Sequence, residues 1–240
     1  MNTQAGFEKC LTFINSQLQP PGKPRPPSKN GQRRAVVISR QSASGAHEVA
    51  GKLARYLQAR PPNDGPPWTV FDRNLMEKVL ADHHLPQRLA RFIPEDRISE
   101  IDDIMAQLFG LRPPADVLVQ QTSETILHLA ELGNVILLGR GSAVITADLP
   151  HVFRVRLVAP LEKRIEYVRA FEGISREAAR ARIRQEDRGR KRYFKKYFRE
   201  DNDDPLLYHL VINTGLVSLD DATRMIGEAV LNRSVARPPA

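Results

Sequence analysis

Apolar positions along this chain fall into two alternating patterns. Ala35–Ser39 (AVVIS) is a short, unbroken run rich in β-branched residues, the pattern of a strand buried on both faces. Glu48–Ala59 follows with helical spacing through Val49, Leu53 and Leu57. Arg60–Pro67 breaks the pattern, and Trp68–Phe71 predicts a second strand ending at Asp72. Asn134–Leu138 predicts a third, Val152–Val158 a fourth and Leu207–Asn213 a fifth. Helical periods run through Val117–Leu132, Leu161–Phe171, Arg176–Phe198 and Leu219–Leu231. Ser175 is placed to cap one of these helices, and Ser218 with Asp221 three residues on reads as a capping box for another. Strands alternating with helices predict an α/β fold, a parallel five-stranded sheet with helices on both faces. Such sheets take ligands beyond the carboxyl ends of their strands.

The flanks differ. Gly6–Leu18 has the apolar spacing of a short amphipathic helix, and Pro20–Gln32 (PPGKPRPPSKNGQ) reads as a linker because its prolines lack backbone donors. Residues 1–34 are therefore expected to be an appendage to a domain spanning 35–232, with a tail over 233–240. The N-terminal helix is a candidate for self-association. A single cysteine, Cys10, excludes an internal disulfide and fits a reducing cytoplasm. No apolar run approaches the roughly 20 residues of a membrane helix, and no secretory leader is evident at the start of the sequence.

Charge adds a location. Arg154–Arg199 holds 16 Lys and Arg against 6 Asp and Glu, more than the net +8 of the whole chain. A basic segment of this kind calls for anionic partners, with phosphate groups the usual ones, unless it is simply a solvated helix face. Ser39-Arg40-Gln41-Ser42-Ala43-Ser44-Gly45-Ala46-His47-Glu48 joins the first strand to its helix. Its small residues let backbone N–H groups converge on an anion at a helix N-terminus, although the full G-x-x-x-x-G-K-[ST] motif is absent. Gly139-Arg140-Gly141 turns sharply after the third strand and presents a guanidinium suited to gripping phosphate. In the long basic helix Arg180, Arg184, Arg188 and Lys191 or Arg192 recur at a spacing that shares one face. Asp187 sits among them, and Gly189 predicts a break or hinge. Tyr193, Phe194, Tyr197 and Phe198 are expected to anchor the helix to the core. An arginine-bearing helix closing over polyphosphate would be a lid.

In order along the chain, Val37-Ile38-Ser39-Arg40-Gln41 with Ser44-Gly45 and Glu48, Phe71-Asp72-Arg73-Asn74-Leu75, Leu138-Gly139-Arg140-Gly141, Arg164, Glu186-Asp187-Arg188-Gly189-Arg190 and Asp204–Thr214 form a set. That set resembles the cytidylate kinase-like family of P-loop proteins, relatives of the nucleoside monophosphate kinases. The resemblance spans about 35–230. It implies ATP-dependent phosphoryl transfer onto a nucleoside monophosphate, with cytidylate the leading acceptor and Mg2+ accompanying ATP. Ser39–Glu48 and Arg190 would hold the donor phosphates. Asp72 and a helical insert over about 73–116 would form the acceptor side, with Arg140 and Arg164 on the acceptor phosphate. Arg140, Arg184, Asp187 and Arg188 would stabilise the transferring group, the lid spanning about 180–200. Such catalysis is positioning and charge stabilisation, for which arginines suffice.

The chain departs from the pattern within the loop. Ala46 stands where monophosphate kinases carry the loop lysine and Glu48 where they carry the magnesium-binding hydroxyl. The family's own G-S-G-G-R-E pattern is replaced by Ala43-Ser44-Gly45-Ala46-His47-Glu48. Extra β-carbons at Ala43 and Ala46 are expected to crowd the phosphate approach, and Arg40 is the candidate for the missing charge. Two alternatives to the kinase follow: a catalytically silent nucleotide-binding module, and nucleic-acid binding through the basic 154–199 surface.

Overall fold

The computed structural model describes residues 34–61, 66–72, 95–109 and 117–233. The sequence-predicted N-terminal helix with Cys10, the proline linker, the tail beyond 233 and much of the acceptor insert lie outside them. Five strands, β1 (Ala35–Arg40), β2 (Thr69–Phe71), β3 (Val135–Leu138), β4 (Val152–Val158) and β5 (Leu210–Asn213), form one sheet in the order β2-β3-β1-β4-β5. Every pairing is parallel. The helices are α1 (Ala46–Gln58), α2 (Glu95–Phe109), α3 (Val117–Leu132), the short α4 (Ser142–Ile145), α5 (Leu161–Glu172), α6 (Arg176–Phe198) and α7 (Leu219–Asn232). The expected α/β class and the five-stranded parallel sheet are both present.

The period of two in the strands divides the core. Ala35, Val37, Val135, Leu137 and Phe71 point to one face, where Ile101 and Ile104 of α2 and Ile126, Leu127 and Leu129 of α3 cover them. Val36, Ile38, Ile136, Leu138 and Val155 point to the other, packed on Val49, Leu53 and Leu57 of α1 and Ile226 and Val230 of α7. Both faces are closed, which is why the central strands read as continuous apolar runs instead of alternating ones. A third, smaller cluster of Ile165, Val168, Ala179 and Ile183 joins α5 to α6. Ser175 and Ser218 each accept a first-turn N–H, from Ala178 and Asp221, as their sequence positions predict. No helix among the described residues is long and apolar enough to cross a membrane.

Three expectations change. The fifth strand is shorter than Leu207–Asn213, because Asp204 caps a 3-10 turn over Pro205–Leu207 that turns the chain before β5 begins. Helix α1 starts at Ala46 rather than Glu48, directly after Gly45 in a left-handed conformation. Gly189 breaks nothing: α6 runs uninterrupted from Arg176 to Phe198, since a helix anchored by Ile183 and Phe194 tolerates one glycine costing about 1 kcal/mol.

Leu53 is 0% exposed between α1 and the sheet. Leu53→Ala is expected to lower stability in urea unfolding by about 2–5 kcal/mol. His209 stacks on Phe153 and its Nδ1 accepts the Arg154 N–H at 2.9 Å. Desolvation, then the nearby Arg233 and Arg154 guanidiniums, push its pKa down to about 4. The unfolded chain therefore binds a proton that the folded chain refuses, and stability falls as pH drops from about 6.5 toward 4. Urea midpoints measured across that interval should flatten in His209→Gln.

Candidate active site

The loop after β1 is pinned from three sides. The Gln41 N–H donates to Leu157 O at 3.0 Å, and its side-chain Oε1 accepts the Ala159 N–H at 3.0 Å. The Ser44 hydroxyl donates to Gln41 O at 2.9 Å, and the Thr214 hydroxyl lies 3.0 Å from Ser44 O. These bonds tie the loop to the ends of β4 and β5, so its shape is set by the sheet. Ala43 (φ 60) and Gly45 (φ 79) are both left-handed, and Gly45 caps α1 without a side-chain acceptor. The first-turn N–H groups of α1 are thereby left open at the positive end of the helix dipole. The two extra methyls do not crowd this side. Ala43 packs on the α5–α6 cluster and Ala46 on the α1 face of the sheet. A left-handed alanine costs roughly 1–2 kcal/mol, which the Ala43 contact offsets in part.

A cavity of about 690 Å³ opens at the carboxyl edge of the sheet, between this loop, Asp72, the Gly139-Arg140 turn and α6. Four arginines line it, Arg40, Arg140, Arg190 and Arg192, against the carboxylates Asp72 and Glu186. Arg40 leaves β1 and lays its guanidinium over Gly139, where a β-carbon would overlap Nη1. Burial, then the Arg190 charge, lowers the Arg40 pKa to about 10 against the opposing pull of Asp72 and Glu186, so it stays protonated at neutral pH. Arg140 holds φ 59 between two glycines at φ 76, a left-handed run that only Gly-X-Gly adopts cheaply. His47 Nε2 lies 3.7 Å from Asp72 Oδ2. Desolvation, with Arg40 nearby, holds its pKa below the ordinary histidine value, so it is mostly neutral at pH 7.

Helix α6 reaches the loop through two carboxylates. Asp187 Oδ1 accepts the Ser42 N–H at 2.7 Å, and Glu186 Oε2 accepts the Ser42 hydroxyl at 2.5 Å. Arg164, 7% exposed, donates through Nη1 to Asp187 Oδ2 at 2.6 Å and to Ser42 O at 3.2 Å. Arg190 spans both acids, with Nη1 3.0 Å from Asp187 and Nη2 3.1 Å from Glu186. Of the residues singled out by sequence, Ser39, Arg40, His47, Asp72, Arg140 and Arg190 line the cavity. Ser42, Arg164 and Asp187 meet beside it, in the contact between lid and loop. Gln41 and Ser44 are used inside the loop, and exposed Glu48 pairs with Lys52 at 3.0 Å. Arg184 and Arg188 are exposed on the outer side of α6, where Arg188 Nε donates to Arg184 O at 3.3 Å. Arg180 pairs with Glu162.

Sequence reasoning missed Arg156. It is 2% exposed, donates through Nη1 to Ser39 Oγ at 2.9 Å and pairs through Nη2 with Asp203. The Tyr208 hydroxyl lies 3.1 Å from Ser39 Oγ and donates to Asn202 O at 2.9 Å, so a polar network underlies the first residue of the loop. One signal was available. Arg156 is one of two arginines in a strand otherwise apolar, and it falls opposite Ser39 in the β1–β4 register. A buried guanidinium in a parallel strand needs fixed partners.

Gly139→Ala tests how the cavity is built. The new β-carbon is strained at φ 76 and displaces the Arg40 guanidinium. Calorimetric affinity for tripolyphosphate should fall roughly tenfold, since a charge-assisted contact is worth about 1.5–3 kcal/mol. Urea unfolding should show a loss of about 1–2 kcal/mol.

With this geometry in view, comparison with known proteins is informative. Cytidylate kinase of Methanopyrus kandleri is 29% identical over 170 residues, which cover 68% of this chain and 86% of that protein. Cytidylate kinase of Pyrobaculum calidifontis is 27% identical over 190 residues, covering 79% and 89%. The crystal structure of an uncharacterized protein from Eubacterium ventriosum superposes with a TM-score of 0.57 at 20% identity, covering 84% of this chain and 100% of that one, which supports the fold. The model of the cytidylate kinase-like family matches residues 35–216, which hold the sheet, the loop after β1 and helix α6, and the chain belongs to that family.

Proposed function

We propose that this protein transfers a phosphoryl group from a nucleoside triphosphate to a small phosphate-bearing acceptor, a nucleoside monophosphate such as CMP. One observation carries the reading. Four guanidiniums against two carboxylates converge on one cavity beside an open helix N-terminus. A net cationic pocket attracts polyphosphate and stabilises charge spreading over equatorial oxygens during transfer. Relatives named cytidylate kinase over most of their length point to the acceptor. In this reading the loop Ser42–His47 receives the donor phosphates, with Arg190 reaching in from the lid. Arg140 and Asp72 face the acceptor, and Arg40, protonated and fixed over Gly139, supplies the charge that a loop lysine would otherwise bring.

The residues present fit phosphate better than they fit a protein-held metal. Among the described residues no group of three His, Cys, Asp or Glu side chains converges to hold an ion. Mg2+ would therefore come in on the phosphates of the donor and keep most of its water, the usual mode for this ion. It would neutralise charge on those phosphates, while the protein's part is to orient them.

A second reading is favoured by one feature. The first turn of α1 carries Ala46, His47 and Glu48, with neither lysine nor hydroxyl. A module that binds nucleotide without turning it over would keep the same arginines.

ATP consumption measured against each nucleoside monophosphate, with calorimetric ATP binding alongside, separates the two. CMP-dependent consumption is expected, and Arg140→Ala should lower kcat/KM for CMP by roughly 100-fold, as removal of one charge-stabilising donor does. Binding of ATP with no turnover on any acceptor would select the silent module.

A further inference from the structure

Beside the first-turn N–H groups of α1, the donors around Ser42 that suit a phosphate are already engaged. The Ser42 N–H and hydroxyl, both terminal guanidinium nitrogens of Arg190 and one of Arg164 all point at carboxylate oxygens of Glu186 and Asp187. A backbone N–H, a hydroxyl and paired guanidiniums form a set suited to a multiply charged oxyanion. Burial sharpens the point. Arg164 is 7% exposed, its Nε is committed to Ala159 O at 2.9 Å, and Asp187 is the one carboxylate among the described residues paired with it. An N–H or O–H hydrogen donates well to one acceptor at a time. A phosphate and the two carboxylates therefore exclude one another at Ser42.

We propose that Glu186 and Asp187 form an internal anion that holds the donor loop closed and must be displaced by the incoming phosphate of the donor. The inference rests on the phosphoryl-transfer reading of the same cavity and concerns how that cavity is regulated. In the closed state the acids keep Arg164 and Arg190 neutralised and the loop ordered. The cluster of Ile165, Val168, Ala179 and Ile183, with Ala43 packed on it, holds α6 against the loop. When a triphosphate arrives, its oxygens take over Ser42 and the guanidiniums, and the two carboxylates are expelled from the loop. Like charge then favours moving them away, so donor binding and release of the lid contact become one event. A single phosphate, with fewer oxygens to offer, competes less well than a triphosphate, which biases the loop toward donor over acceptor.

The probe is inorganic tripolyphosphate, which binds without turnover. Its affinity is measured by calorimetry for the full-length protein and for Glu186→Gln and Asp187→Asn, each checked by urea unfolding. Both variants keep a side chain able to accept the Ser42 hydrogens but lose the charge. Each is expected to bind tripolyphosphate roughly tenfold more tightly, the worth of one charge-assisted hydrogen bond released to the ligand. Asp72→Asn removes the same charge from the cavity wall without touching Ser42, Arg164 or Arg190, and should tighten binding less than either α6 variant. Equal tightening in all three would reduce the effect to general electrostatics and overturn the proposal, as would unchanged or weaker binding in both lid variants. Should Asp187→Asn fail to fold, Glu186→Gln and the unaltered protein still decide it. In the latter the Ser42 amide resonance must move as tripolyphosphate saturates, and a resonance that stays in place sinks the idea. The kinase reading fails separately: tightening of tripolyphosphate without turnover on any acceptor leaves the internal anion intact and refutes only the enzyme.

Discussion

The Asp187 carboxylate joins three parts of the molecule that the chain keeps far apart. It meets the Ser42 amide of the loop after β1, Arg164 in α5 and Arg190 one helical turn further along α6. Without a carboxylate there, Arg164 would be a buried guanidinium with only carbonyl oxygens for company, a costly arrangement in a medium of low polarity. The requirement to neutralise that charge draws α6 onto the loop, and the position of α6 closes one wall of the cavity. An interaction that is local in space thus sets the shape of the whole site.

Beneath it the sheet supplies rigidity. Strands β1, β3 and β4 end close together, and each contributes a different element at the same edge: a loop rich in small residues, a Gly-Arg-Gly turn, and the backbone oxygen of Leu157 and amide of Ala159 that hold Gln41. Arg156 works from below, tying Ser39 to Asp203 just outside the sheet. Positive charge gathers here because several guanidiniums are held in place by the fold and only partly matched by acids. The desolvation that lowers the Arg40 pKa is the same effect that would strengthen its grip on an entering phosphate. The loop carries no lysine, and the positive charge nearest it sits on Arg40 at the end of a strand and on Arg190 in α6.

Much of the architecture was legible because it rests on local periodicity. Ala35–Ile38 and Val135–Leu138 are apolar at every position, and only a strand covered on both faces accommodates that. Ser175 and Ser218 mark helix starts through short-range hydrogen bonds that sequence neighbours alone determine. The Gly139-Arg140-Gly141 turn declared its backbone by composition, and its left-handed angles follow. Where reading by neighbours failed, a distant contact had decided. Gly189 lies within a continuous helix because residues on either side of it are buried. The methyls of Ala43 and Ala46 turn away from the cavity because two separate apolar clusters accept them.

By itself the sequence determined the order of strands and helices, the place of the loop at a helix N-terminus and the supply of arginines, since each depends on residues close together in the chain. Only the tertiary structure decided which arginines matter at the cavity. Arg184 and Arg188 share α6 with Arg190, yet they face away while Arg190 and Arg192 face in, because the rotation of α6 is set by Ile183 and Phe194 packing on the rest of the protein. Arg156 was hidden for the same reason: its role exists only once β4 lies beside β1 and brings it opposite Ser39. The pairing of Asp187 with Ser42 across 145 residues belongs wholly to that level, since no local rule couples groups whose distance the packing alone creates.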